Sequence, residues 1–332
     1  MQTQIMPFGE ESALRAAEIL KSGGIVGIPT ETVYGLAADA LNEAAVRSIF
    51  EAKGRPQDNP LIVHISSMDM LPPLVKEIPP LAEKLAEAFW PGPLTMIFPK
   101  ADIIPAATSG GLDTVAVRMP LSKEARAIIG CCGLPLAAPS ANLSGSPSPT
   151  MADHVFRDMN GRIPLIIDGG ACKFGVESTV ICFNERGIHV LRPGGITPEM
   201  LSEFAEVEID GAVCAKPTDN ARVLSPGMKY KHYSPRADVK IVDAHGEAFR
   251  EYCMAHRQGR TLAFGAGVKP QGIFLDYGAT SEQQANRLFA MLREADELNA
   301  DTVYVEMPST KGMGLAVYNR LLRAAGFEIV KV

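Results

Sequence analysis

No Walker-type GxxxxGK[ST] loop, no HxxE and no paired-cysteine motif occurs in the 332 residues. That removes the P-loop cradle and the commonest protein-built metal cages. The six cysteines, at 131, 132, 172, 182, 214 and 253, show neither CxxC nor Cys/His ligand spacing. Adjacent Cys131 and Cys132 are poorly suited to a structural disulfide, so reduced, mostly buried thiols of a cytoplasmic protein are expected. No apolar run approaches the roughly 20 residues needed to span a bilayer. The N-terminal MQTQIMPFGEESALRAAEIL lacks a basic region ahead of an apolar core, so no secretory signal is expected. An excess of positive charge is missing as well: the net charge of −6 argues against a general nucleic-acid coat, although it permits a local basic patch. There is no internal repeat and no low-complexity tract.

What is present is an ordinary globular composition, 46% hydrophobic and 21% charged, long enough for about two domains. The pattern predicts helices over residues 10–22, 43–52 and 79–89, the first with Leu14, Ala17, Ile19 and Leu20 as its apolar face. Strands are predicted at 25–29, 61–65, 94–98, 114–118, 136–138, 165–167 and 178–181. The polar motifs fall at strand ends, where open sheets place ligands. Regularity stops from about Asp210 to Arg236, where Ser225–Pro235 (SPGMKYKHYSP) concentrates cations and aromatics unlike a passive tether. A second α/β pattern follows, with strands at 239–242, 261–264, 272–275 and 302–305 and helices near 246–256, 281–299 and 313–325, which suggests a small parallel, Rossmann-like sheet. The expected domains are 1–209, a linker or lid at 210–237, and 238–332. Gly265-Ala266-Gly267 alone is too weak to mark a dinucleotide site, and Lys311-Gly312-Met313-Gly314 reads as an ordinary turn.

Two loops carry the chemistry. Lys53-Gly54-Arg55-Pro56-Gln57-Asp58-Asn59-Pro60-Leu61 sets two cations one residue apart on a segment too rich in Gly and Pro for a regular helix. Ala138-Pro139-Ser140-Ala141-Asn142-Leu143-Ser144-Gly145 is a run of small and hydroxyl residues. Lys53 and Arg55 are compatible with solvated turn cations, or with a point contact and a fork on one polyphosphate. Arg118 and Arg192 each end a strand, and buried arginines there have an anionic partner, protein or ligand. Ser140 and Asn142 read equally as turn formers, His64 reads first as a satisfied core histidine, and Thr32, Tyr34 and Glu177-Ser178-Thr179 as loop shapers. Together these residues describe a cationic, hydroxyl-lined nucleotide pocket without a built-in metal cage.

Pro29-Thr30-Glu31-Thr32-Val33-Tyr34-Gly35-Leu36, Lys53-Gly54-Arg55-Pro56, Asn59-Pro60-Leu61, Trp90-Pro91-Gly92-Pro93-Leu94-Thr95, Val115-Ala116-Val117-Arg118 and Ala138–Gly145 resemble, in order, the motifs of the YrdC-type threonylcarbamoyl-AMP synthases. The motifs span most of residues 10–205, and the SPGMKYKHYSP segment with its α/β tail is similar to the longer, two-domain form. The resemblance implies a twisted mixed α/β sheet around a concave cavity, plus the smaller Rossmann-like domain. It also implies synthesis of L-threonylcarbamoyl-AMP and pyrophosphate from L-threonine, bicarbonate or CO2, and ATP. Thr32, His64, Arg118, the Ala138 backbone and Ser178 are then expected to hold threonine. Arg55, Asn59, Thr114, Ser140, Asn142, Ser148 and Arg192 are expected on ATP, with Lys53 and Arg55 catalytic and Tyr230, with His232 as a further candidate, reaching over the nucleotide. Magnesium arrives with ATP. The implied partners are the downstream tRNA threonylcarbamoyl-transfer machinery, with weak tRNA binding and no membrane. A non-catalytic RNA-binding module and a carbamoyl-phosphate-dependent carbamoyladenylate enzyme are the alternatives.

Overall fold

The computed structural model describes residues 2–57, 59–215 and 233–332. Among these, strands β1 Gln4–Pro7, β2 Val26–Ile28, β3 Gly35–Asp39, β4 Ile62–His64, β5 Leu94–Pro99, β6 Thr114–Arg118, β7 Leu136–Ala137, β8 Leu165–Asp168, β9 Thr179–Asn184, β10 Gly187–Arg192 and β11 Glu206–Ile209 form one sheet. Its order is β1-β8-β2-β3-β7-β4-β6-β5-β9-β10-β11. The sheet is mixed: β4 runs parallel to β6 and β5 to β9, whereas β7 is antiparallel to both β3 and β4.

Helices cover this sheet through small apolar faces. Helix Glu10–Lys21 buries Ala13, Ala16, Ala17 and Leu20, at the i, i+3, i+4, i+7 spacing of one helix face. This corrects the expected face, because Leu14 is half exposed and Ile19 only partly buried. The alanines permit close approach to Ile128, Ile129 and Cys132 of helix Lys123–Cys132, in one buried cluster. Helix Glu43–Lys53 starts at Asn42, whose side chain accepts from the Ala44 and Ala45 amides, and stops at Gly54 in the left-handed conformation (φ 61°).

The second sheet comprises β12 Asp238–Asp243, β13 Thr261–Gly265, β14 Phe274–Asp276, β15 Thr302–Glu306 and β16 Ile329–Lys331. It is ordered β14-β13-β15-β12-β16 and is parallel throughout. Helix Ser281–Glu297 opens with a reciprocal cap between Thr280 and Gln283. Helix Met313–Ala324 is buried on nearly every side, including Asn319, Arg320 and Arg323, because it lies between its own sheet and the first domain. No helix of the described residues is long and apolar enough to cross a membrane.

The two sheets share packing. Val33 and Val176 of the first half belong to the same buried cluster as Phe289, Val303 and Leu321 of the second. Arg293 adds a forked pair to Asp158 (3.1 and 2.7 Å) and a bond to the Pro147 carbonyl (2.5 Å). Asp158 also accepts from the Leu143 amide, so the second half holds the hydroxyl-rich loop from behind.

Candidate active site

The cavity forms where several strands end together. Register between parallel β4 and β6 sets His64 beside Arg118, and antiparallel β7 carries the chain past His64 into Ala138 and Ser140. The loop from β7 is stitched to the Thr30–Gly35 loop by Leu36 N–H to Pro139 O (2.8 Å) and Ala141 N–H to Tyr34 O (2.9 Å). Pairing of β5 with β9 delivers Ser178, whose Oγ lies 2.8 Å from Thr95 Oγ1. Strand β10 returns to place Arg192 beside Val180. The turn that follows passes so close that a Cβ on Gly194 would lie 2.3 Å from the Thr179 nitrogen, so only glycine fits.

These segments surround one open-mouthed cavity. Thr32, Arg55, His64, Arg118, Ala138, Ser140, Ser178 and Arg192, all expected from the sequence, line it together. Thr30, Glu177 and Tyr233 also line it and were not anticipated as site residues.

Arg118 is buried and heavily engaged. Its Nη2 bonds Glu31 Oε1 (2.6 Å), Nη1 donates to Thr32 Oγ1 (2.9 Å), and Nε donates to Gly92 O (3.2 Å). Burial works to raise the Glu31 carboxyl pKa, but the Arg118 charge and its hydrogen bonds outweigh it and hold the group below its ordinary value. Gly92 sits in the Trp90-Pro91-Gly92-Pro93 turn, where Trp90 is buried, donates Nε1–H to Leu94 O (2.7 Å) and precedes a cis peptide bond. Arg192 donates Nε–H to Ser178 O (3.1 Å) and Nη2–H to Ser178 Oγ (3.2 Å). Burial lowers its pKa to about 10, which leaves it cationic at neutral pH.

His64 has its Nδ1 3.2 Å from the Ile62 carbonyl. Burial, reinforced by Arg118, pulls its pKa down to about 3. The ring is therefore neutral at physiological pH, with the Ile62 and Leu136 carbonyls as its backbone neighbours. Because the folded value lies below the ordinary 6.5, the unfolded chain takes up a proton first as pH falls. Stability should then decline below pH 6.5, with His64 contributing a loss of about 2 kcal/mol at pH 5. In urea titrations from pH 7 to 5, a His64→Asn variant should show a correspondingly flatter decline; matching slopes would disprove this origin.

Several expected residues sit elsewhere. Lys53 is the last residue of helix Glu43–Lys53, not part of an irregular loop, since Gly54 rather than Lys53 breaks the helix. Its buried ammonium donates to Ser140 O (2.5 Å), Asn142 O (2.7 Å) and Asn142 Oδ1 (3.4 Å). Burial, with Arg55 next, draws its pKa well below the ordinary lysine value. Asn142 spends its amide on Leu143 O and Ser146 O, and Ser148 donates to Glu177 Oε1 (2.5 Å), so both support the wall from behind. Buried Asn59 and the β6-start residue Thr114, at the far end of the strand from Arg118, lie off the cavity lining. Tyr230 and His232 fall outside the described residues. Of the expected linker or lid at 210–237, residues 210–215 and 233–237 are described, and Tyr233 is the aromatic on the wall.

Comparison with known proteins places the chain in a family. The family model described as Telomere recombination (Sua5_yciO_yrdC) matches residues 18–194, and that described as Threonylcarbamoyl-AMP synthase, C-terminal domain, matches 196–326. The chain is 47% identical over 331 residues to the threonylcarbamoyl-AMP synthase of Pyrococcus abyssi, covering 97% of each. It is 42% identical over 327 residues to that of Bacillus subtilis, covering 96% of this chain and 94% of the relative. The solved structure of P. abyssi Sua5 complexed with L-threonine superposes with a TM-score of 0.92 at 44% identity, over 100% of both chains. The chain belongs to the Sua5/YciO/YrdC family, in the form that carries the Sua5 C-terminal domain.

Proposed function

We propose that the chain is an L-threonylcarbamoyladenylate synthase, condensing L-threonine, bicarbonate or CO2, and ATP into threonylcarbamoyl-AMP and pyrophosphate. The observation that carries this reading is the contact between the two halves of the cavity. Ser178, assigned to threonine beside Thr32, His64 and Arg118, receives a hydrogen bond from Arg192, assigned with Arg55 and Ser140 to ATP. An amino acid and an α-phosphate held there are neighbours. The named relatives and the threonine complex of P. abyssi support the same reading.

In this scheme Arg118 faces the threonine carboxylate. Threonine's neutral amine adds to CO2 and releases a proton to solvent. A carbamate oxygen then attacks the α-phosphorus in line as the bond to pyrophosphate breaks. His64, with a pKa of about 3, is too weak a base to deprotonate an ammonium. Arg55 and Arg192 neutralise charge gathering on the phosphate oxygens. Enclosure protects the labile carbamate by holding it next to its electrophile. Magnesium fits as an ion carried on the phosphates, where it would add further charge neutralisation: Glu31 and Glu177 already pair with Arg118 and Arg320. We assign Lys53, Asn142 and Ser148 to holding the nucleotide loop. The domain limits 1–209, 210–237 and 238–332, a cytoplasmic location and delivery of the adenylate to tRNA-modifying enzymes complete the reading.

The test is incubation of the full chain with ATP, magnesium, bicarbonate and each amino acid in turn, following pyrophosphate and adduct mass. Threonine-dependent pyrophosphate with a threonylcarbamoyl-AMP mass is expected. Turnover only with carbamoyl phosphate, or no adduct with any amino acid, would overturn the assignment.

A further inference from the structure

The second domain sends a charged side chain into the cavity wall. Arg320, on helix Met313–Ala324, is completely buried. Its Nε donates to Glu177 Oε2 (2.9 Å), and its Nη1 to Pro193 O (2.7 Å) and Asn319 Oδ1 (3.1 Å). Nη2 reaches the Glu177 carbonyl at 3.4 Å. Glu177 and Pro193 are the chain neighbours of Ser178 and Arg192, so one guanidinium from the second domain spans both residues that link the halves of the cavity.

We propose that Arg320 is a positioning residue for the nucleotide half of the site, holding the Glu177 carboxylate so that Arg192 stays directed at phosphate. The proposal rests on the assignment of Arg192 to ATP made above. Glu177 is a buried anion on the cavity wall, its two oxygens taken by Ser148 and Arg320. Without Arg320 that anion loses the cation bonded to Oε2 in a low-dielectric site, where a stranded charge recruits the nearest cation. Arg192, already bonded to the adjoining residue, is within reach, and a guanidinium drawn onto Glu177 is withdrawn from a triphosphate. Simple domain attachment is a separate task of the same helix, served by Asn319 Nδ2 to Val213 O (2.7 Å) and Arg323 Nη2 to Ala212 O (3.2 Å).

The experiment is calorimetric titration of the full chain with α,β-methylene ATP and, separately, with threonine, alongside thermal melts that establish folding. Arg320→Met should weaken nucleotide affinity about 30-fold or more, with a smaller loss for threonine. Arg320→Met combined with Glu177→Gln should recover about tenfold of that loss, because the stranded charge is gone. Arg287→Met, which removes an exposed pair with Asp276 inside the second domain, should stay within about threefold of the parent. A structural role alone would give no rescue by Glu177→Gln. Should the methionine variant fail to fold, Arg320→Lys, which keeps the charge and loses the fork, should still weaken nucleotide binding about tenfold. Unchanged nucleotide affinity in Arg320→Met, or in the lysine variant if that one is used, overturns the proposal, as does a double variant no better than the single. Nucleotide binding without threonine-dependent pyrophosphate in the parent would instead sink the functional assignment and leave Arg320 to be judged on binding. No nucleotide binding by the parent would remove both.

Discussion

Arg118→Met should lower threonine-dependent turnover by about a hundred- to a thousandfold, the equivalent of roughly 3–4 kcal/mol for a buried charged contact. It should also destabilise the fold by about 3–5 kcal/mol, because Glu31 is left buried without its partner. The two losses have different origins and can be separated. Glu31 accepts from Arg118 Nη2 and, through Oε2, from the Ser122 amide. Adding Glu31→Gln to Arg118→Met neutralises the stranded carboxylate, so stability should largely return. Activity should not, since the cation proposed to face the substrate carboxylate is still absent. Kinetics with varied threonine, together with denaturant melts on the single and double variants, decide the matter. Near-parental activity in Arg118→Met would remove Arg118 from the threonine site, and equal melts in single and double variants would reject the Glu31 explanation.

The second large effect is expected at Lys53. Lys53→Met leaves the Ser140 and Asn142 carbonyls and Asn142 Oδ1 without the donor that holds them. Buried acceptors left unmet cost about 1–3 kcal/mol each, so a loss of about 3 kcal/mol or more in stability is expected. The functional consequence lies in the loop and not in a lost phosphate contact. Ser140 should lose its fixed position, and the KM for ATP should rise about 10- to 100-fold, with the threonine KM changing less. Lys53→Arg should not rescue: a planar guanidinium cannot replace a compact ammonium in a space shaped by three oxygens. Equal rises in both KM values, or full rescue by arginine, would contradict this role.

The elements whose periodicity is local were legible in the sequence. Helices at 43–52, 79–89, 246–256, 281–299 and 313–325 appear as Glu43–Lys53, Pro80–Phe89, Gly246–Ala255, Ser281–Glu297 and Met313–Ala324. Strand Gly35–Asp39 escaped because its sequence, GLAAD, is nearly all buried and does not alternate. Edge strands Gln4–Pro7 and Glu206–Ile209 are short and largely exposed, so they carry little hydrophobic signal. At the site, the cations and hydroxyls of successive loops could be read, since strand ends collect them. Which of them face the cavity depended on partners far along the chain. Lys53 turns inward to oxygens 87 and 89 residues away, and Arg320 meets Glu177 across 143. Among the linker aromatics, Tyr233 reaches the cavity wall, and composition and spacing alone do not single it out.

Trp90 gives the molecule its own optical reporter. It is the chain's one tryptophan, held by a hydrogen bond to Leu94 O. Two residues on, Gly92 O receives Arg118 Nε. On the proposed assignment of Arg118 to the threonine carboxylate, a shift of its guanidinium would reach the indole through a single turn of backbone. Intrinsic emission should therefore follow occupancy of the amino-acid half of the cavity without any label. Background from other indoles is absent, so binding and turnover can be timed in the unaltered protein.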